Sequence, residues 1–175
     1  DDYIEPDLFL KVKERIDSTG AQLIKYSVIE QYYDARQNFI GQKEVCLKDM
    51  VLNSAEGIRN AILPMEKLPL FGYLWNSFYE MKTVPKDLWN FDTKMYVNED
   101  FIMNMTLIDR ISIMACMSYA GYHYERRINN SLSTSRNDRY YECSKEKIEI
   151  LLLKYAKWNL LTSSNKAEIY WFYIR

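Results

Sequence analysis

Residues 105–121, MTLIDRISIMACMSYAG, form the stretch on which the expected fold depends. Its apolar residues leave almost no polar face, a pattern typical of a helix that other segments cover on all sides. Thr106 and Asp109 have the spacing of a capping box at the start of a helix, and Gly121 is suited to end one. The stretch therefore predicts a buried central helix.

Residues 21–40 carry two apolar stripes at helical spacing, and both require cover. The first stripe consists of Ile24, Val28, Tyr32, Ala35 and Phe39. The second stripe consists of Tyr26, Ile29, Tyr33 and Ile40. A helix packed between two neighbouring helices accounts for both stripes. The alternative is that the second stripe meets another copy of the protein.

The rest of the chain predicts further amphipathic helices joined by polar segments. These helices cover residues 7–19, 43–63, 69–81, 144–158 and 167–174. Segments 82–100 and 126–139 are punctuated by polar residues and predict irregular structure. A hydrophobic helix wrapped by amphipathic ones is an all-α architecture. We expect one domain over residues 1–175, with residues 1–20 as a leading helix or arm and residues 21–175 as the bundle.

The charge balance and the cysteine pattern exclude several classes of protein. Lys and Arg number 23 against 24 Asp and Glu, so the chain offers no basic field for nucleic acid. No apolar run reaches the roughly eighteen residues that a membrane span needs. The three cysteines show neither a metal-site spacing nor a disulfide framework, which favours the cytoplasm.

Residue types that carry catalysis are scarce. His123 is the single histidine, and its place just after an apolar stretch indicates a packing or capping role. Cys116 lies inside the apolar stretch, where burial leaves a thiol unreactive. No glycine stands in a phosphate-binding loop. We therefore predict that the protein is not an enzyme and has no catalytic residues, no cofactor and no metal.

Four segments carry a resemblance to a known family. They are residues 28–38 (VIEQYYDARQN), 47–58 (LKDMVLNSAEGI), 69–78 (PLFGYLWNSF) and 105–115 (MTLIDRISIMA). In this order they resemble the poxvirus Bcl-2-like family of intracellular innate-immunity antagonists. The resemblance covers residues 21–127, and the helices that follow fit by pattern alone.

The resemblance implies a Bcl-2-like bundle of about seven helices around a buried central helix. It also implies a non-enzymatic virulence factor in the cytoplasm of the infected cell. Such a factor binds a host signalling protein and suppresses NF-κB activation or interferon induction, and family members often form homodimers. The alternatives are an apoptosis inhibitor that holds death-motif helices in a groove, or a helical scaffold with no viral link. The expected protein-interaction residues are Tyr26, Ile29, Tyr33, Arg36 and Ile40.

Overall fold

The computed structural model describes residues 2–89, 98–127 and 140–174, which form a mixed α/β fold. In chain order the elements are β1 (Tyr3–Ile4), α1 (Leu8–Thr19), β2 (Leu23–Tyr33), β3 (Phe39–Val45), β4 (Met50–Leu52), α2 (Ala55–Lys67), β5 (Ser77–Tyr79), α3 (Glu99–Leu107), β6 (Met114–Arg127), α4 (Tyr140–Lys157) and α5 (Ser163–Ile174). The prediction of an all-α Bcl-2-like bundle is therefore wrong.

Two long parallel strands, β2 and β6, form the centre of a mixed sheet. Strand β3 pairs antiparallel with the second half of β2, and β5 pairs antiparallel with its first half. Strands β1 and β4 pair antiparallel with the second and first halves of β6. At one end of the sheet the outer strands are β5 and β4, and at the other end they are β3 and β1. Strands β2 and β6 therefore have hydrogen-bonded neighbours on both sides.

Helices cover both faces of the sheet. Helix α1 packs on one face, where Leu8 and Val12 contact Ile24 and Ala115. Helices α2, α3, α4 and α5 pack on the other face, over Leu23, Val28, Met114 and Cys116. This three-layer arrangement explains why the central strands are apolar on both sides.

The predicted central helix at residues 105–121 is the clearest error. Residues 105–107 end helix α3, Ile108–Arg110 form one 3₁₀ turn, and strand β6 starts at Met114. A strand covered on both faces is apolar at nearly every position, so periodicity cannot separate it from a buried helix. The expected capping box is absent as well, because the Thr106 hydroxyl donates to the Ile102 carbonyl oxygen.

The same physical reason explains the error at residues 21–40. This segment is not a helix but strand β2, a turn and the start of strand β3. Strand β2 is buried along most of its length and is therefore apolar on both faces. Its apolar residues were misinterpreted as two stripes of a helix.

Of two further predicted helices, one is partly correct and the other is wrong. Of residues 43–63, only the part from Ala55 onward is helical, and Ser54 starts α2 by accepting a hydrogen bond from the Gly57 amide. Pro64 does not end this helix, which continues to Lys67. The predicted helix at residues 69–81 is instead a loop, strand β5 and the start of a 3₁₀ turn.

Three predicted helices are confirmed. Helix α1 ends at Thr19, and Gly20 follows in the left-handed conformation with φ 65°. Helices α4 and α5 include residues 144–157 and 167–174. Within the predicted irregular segments, residues 90–97 and 128–139 lie outside the described residues. In the described parts of the chain, no helix is both long and apolar enough to cross a membrane.

Candidate functional site

Four aromatic side chains meet where the loop between α2 and β5 passes the end of strand β6. We call Tyr73, Trp75, Tyr122 and Tyr124 the aromatic stack. The Trp75 ring stacks with Tyr73 and with Tyr122, with 4.6 Å between ring centroids in each pair. Tyr124 is tilted against Trp75 at 5.1 Å. All four side chains are partly exposed, so a ligand can reach this surface.

Two carboxylates are hydrogen-bonded to the segments that carry the aromatic stack. Asp100 lies in the first turn of α3, and its Oδ2 accepts a hydrogen bond of 3.2 Å from the Leu74 amide. Asp2 lies just before β1, and its Oδ2 accepts a bond of 2.8 Å from the Tyr122 hydroxyl. The Glu125 amide donates to the other oxygen of Asp2 at 2.9 Å. Both carboxylates are therefore held in place by the backbone next to the aromatic rings.

Burial raises the pKa of Asp100. The Leu74 hydrogen bond and the charge of Lys25 oppose this shift, Glu99 adds to it, and the pKa stays above its ordinary value. A carboxylate with a raised pKa is a better proton acceptor than an ordinary one. Among the groups of this site, Asp100 is therefore a candidate proton acceptor.

An ion pair borders the aromatic stack at Tyr124. The Arg126 guanidinium lies 5.3 Å from the Tyr124 ring centroid and donates to Glu30 Oε1 through Nη2 and Nε, at 2.7 and 3.0 Å. The Tyr32 hydroxyl donates to the other oxygen of Glu30 at 2.6 Å. Because Glu30 balances the charge of Arg126, this border is polar without a net positive charge.

The predicted interaction residues do not form one stripe, because they lie on strands β2 and β3 and on the turn between them. Tyr26 is 3% exposed, and its hydroxyl donates to the Trp75 carbonyl oxygen beneath the aromatic stack. Ile29 and Tyr33 are half-buried, whereas Arg36 and Ile40 are exposed. Their part in protein binding, including a homodimer, stays a prediction.

Two residues that the sequence singled out are held in the interior. His123 stacks on Tyr3 at 4.1 Å, and its Nε2 lies 2.8 Å from Glu5 Oε1, so it has the packing role predicted for it. Burial raises the pKa of the Cys116 thiol to about 11, which agrees with the unreactive thiol predicted there.

The sequence interpretation missed Asp2, Asp100 and the aromatic stack. Two features pointed to the site: an acidic pair at the start of α3, and aromatic residues clustered at 71–79 and 119–124. No property of the sequence alone showed that these segments meet.

No family model matches the chain, and no curated protein sequence matches it. Its fold is similar to that of solved structures of S. aureus TarS, residues 1–349. The structure with UDP-GlcNAc matches with a TM-score of 0.57 and 12% identity, covering 99% of this chain and 44% of that one. A second TarS structure matches with a TM-score of 0.53 and 13% identity, covering 99% of this chain and 43% of that one. The structure with UDP matches with a TM-score of 0.51 and 12% identity, covering 99% of this chain and 42% of that one.

These matches overturn the predicted family and the function attached to it. The resemblance to poxvirus Bcl-2-like proteins is wrong, because the fold is mixed α/β and is similar to that of TarS. The prediction of a non-enzymatic antagonist, with its apoptotic and scaffold alternatives, rested on an all-α bundle and is wrong with it. The chain has a mixed α/β fold like that of TarS and spans less than half the length of the TarS structures it matches.

Proposed function

We propose that this chain takes part in the transfer of a sugar from a nucleotide sugar to an acceptor hydroxyl group. The likeness to TarS, solved with UDP-GlcNAc and with UDP, carries the proposal, since it extends over 99% of the chain. The chain spans less than half of the matched structures, so the proposal concerns the part of such a site that these residues build.

The reaction requires a group that accepts a proton. The acceptor oxygen forms a bond to the anomeric carbon of the sugar while the bond from that carbon to the phosphate oxygen breaks. The nucleoside diphosphate leaves with the electron pair, and the acceptor hydroxyl loses its proton. Asp100 is suited to take this proton, because burial raises its pKa and the Leu74 amide fixes its orientation.

The surface that the aromatic stack forms suits a sugar. The rings of the aromatic stack offer partly exposed apolar surface, against which the C–H groups of a sugar can pack. Asp2 and the Tyr122 hydroxyl add polar groups that can hydrogen-bond to hydroxyl groups. Aromatic surface with a few fixed polar groups is the usual composition of a small-ligand site.

Calorimetric titration with UDP-GlcNAc and UDP tests the proposal, with ADP-glucose as a comparison. We expect both uridine ligands to bind and UDP-GlcNAc to release UDP in the presence of an acceptor. Asp100→Asn is expected to bind UDP-GlcNAc like the wild type and to lose at least ~100-fold in turnover, the usual contribution of a general base. Asp17→Asn, which changes an exposed carboxylate on α1, is the matched control. If neither uridine ligand binds more tightly than about 1 mM, the proposal is overturned.

A further inference from the structure

A lysine lies fully buried at the centre of the sheet, directly behind the candidate site. Lys25 is on β2, and 0% of its surface is exposed. Its Nζ donates to the carbonyl oxygens of Phe71 and Tyr73 at 2.8 and 2.6 Å, and to Asn76 Oδ1 at 3.3 Å. The three N–H groups of the ammonium thus have three neutral oxygens as partners, all on the loop between α2 and β5.

Burying a charge in this way is costly. Burial lowers the pKa of Lys25 to about 7, and the charges of Glu66 and Asp100 offset only part of the shift. A methionine of similar length would fill the same space in the core without this cost. The ammonium group is therefore best explained by the bonds that it makes to the loop.

Two asparagines complete the support of this loop. Asn104 Nδ2 donates to the carbonyl oxygens of Phe71 and Gly72, both at 2.9 Å. Asn76 Nδ2 donates to the Leu70 oxygen at 2.9 Å. The four carbonyl oxygens of residues 70–73 thus each accept a hydrogen bond from Lys25, Asn76 or Asn104, which fixes this part of the backbone.

The front of the same loop builds the candidate site. Tyr73 and Trp75 place their rings in the aromatic stack, and the amide of Leu74 donates to Asp100. The Tyr73 carbonyl is bound by Lys25 and leads directly into the Leu74 amide, so one peptide unit connects the buried lysine to the carboxylate.

We propose that Lys25 is a positioning residue, whose buried ammonium group holds residues 70–77 so that the Leu74 amide orients Asp100. The assignment rests on the proposed function in taking Asp100 as the base. Lys25 acts through the loop and has no direct contact with substrate.

The test compares Lys25→Met with Lys157→Met, which changes an exposed lysine at the end of α4. Hydrogen exchange of the backbone amides at 70–77 is expected to be at least ~10-fold faster in Lys25→Met, with α4 protected as in the wild type. The positive charge of Lys25 lowers the pKa of Asp100, so carbon-13 NMR of the Asp100 carboxyl group should show a higher pKa in this variant. Unchanged loop exchange together with an unchanged Asp100 pKa overturns the assignment.

A measurement on the wild type covers the case in which Lys25→Met does not fold. The nitrogen-15 signal of Lys25 Nζ and the amide signal of Leu74 are followed from pH 5 to pH 10. We expect one common midpoint, because loss of a proton from Nζ removes one of the three bonds to the loop. A Leu74 signal that does not follow Lys25 contradicts the assignment.

Turnover separates this assignment from the proposed function. If UDP-GlcNAc is turned over, Lys25→Met should lower kcat with little change in KM and move the acid limb of the pH profile upward. A lower kcat without this shift of the pH profile would indicate that Lys25 only stabilises the fold. If the wild type does not bind UDP-GlcNAc, the proposed function fails, and the exchange and titration results alone decide whether Lys25 orients Asp100.

Discussion

The Leu74 amide donates a hydrogen bond of 3.2 Å to the Asp100 carboxylate, although 26 residues separate the two in sequence. This bond joins the aromatic loop to the first turn of α3. The bond orients the carboxylate, and burial of the carboxylate raises the pKa of Asp100. The arrangement therefore costs stability when the carboxylate is charged, as expected of a group positioned for chemistry.

Replacing Asp100 with asparagine should remove that cost. A carboxyl group whose pKa is higher in the folded state than its ordinary 3.8 favours folding in its neutral form. The contribution of Asp100 to the free energy of unfolding of the wild type should therefore fall as the pH rises from 3.8 through the folded pKa. Asp100→Asn keeps an oxygen that accepts from Leu74 and should not show this fall. Urea unfolding at pH 4 and pH 7 checks it, and a variant less stable than the wild type at pH 7 would contradict it.

Breaking the ion pair between Lys147 and Glu66 should be costly. The Glu66 side chain is 5% exposed and also accepts a bond of 3.0 Å from the Gly72 amide. Lys147→Met leaves this carboxylate buried without its cation, which should lower the free energy of unfolding by ~3 kcal/mol. Urea denaturation measures the change.

Two variants control for the Lys147 result. Lys145→Met breaks an exposed pair with Glu149 and should change stability by less than ~0.5 kcal/mol. The double variant Lys147→Met with Glu66→Gln removes the stranded charge and should recover most of the loss. If the double variant is as unstable as Lys147→Met, lost packing rather than charge is responsible.

Gly121 should not tolerate a side chain. A Cβ atom at this position would lie 2.7 Å from Leu8 Cδ1 and 2.7 Å from the Tyr119 ring. Leu8 is fully buried, so the clash cannot be relieved by a shift into solvent. Gly121→Ala should lower the free energy of unfolding by ~1–3 kcal/mol. In a Leu8→Ala background, Gly121→Ala should lower the free energy of unfolding by less. An equal loss in both backgrounds would exclude this clash as the cause.

Asp109 should contribute stability that is lost in acid. Burial raises its pKa, but Lys154, Trp158 and Arg59 together outweigh burial and hold the pKa below the ordinary 3.8. Its contribution is thus complete above pH 3.8 and is lost as the pH falls through the lower folded pKa. Asp109→Asn should be less stable than the wild type at pH 6, with a gap that narrows toward pH 2. Thermal unfolding across this range checks it, and a constant gap would show that hydrogen bonding alone is lost.

Local signals in the sequence were sufficient for several helices. Helix α1 has an amphipathic pattern and a glycine that ends it in the left-handed conformation. Helices α4 and α5 show apolar residues at helical spacing on segments long enough to form helices. Such signals act within a few residues, so they hold whatever the rest of the chain does.

The central strands and the candidate site could not be predicted in this way. Strands β2 and β6 are apolar on both faces because helices cover the sheet on both sides, and that cover is a property of the whole fold. Asp100 became a candidate base only through its burial and its bond to Leu74.

Sequence alone therefore established the net charge, the three outer helices α1, α4 and α5, and a core built from the most apolar stretches. Tertiary structure decided that two of those stretches are parallel strands and that Lys25 and Asp100 lie on opposite sides of one loop. The physical reason is that strand pairing and burial depend on partners far away in the chain, whereas helix caps and amphipathic periodicity depend on near neighbours.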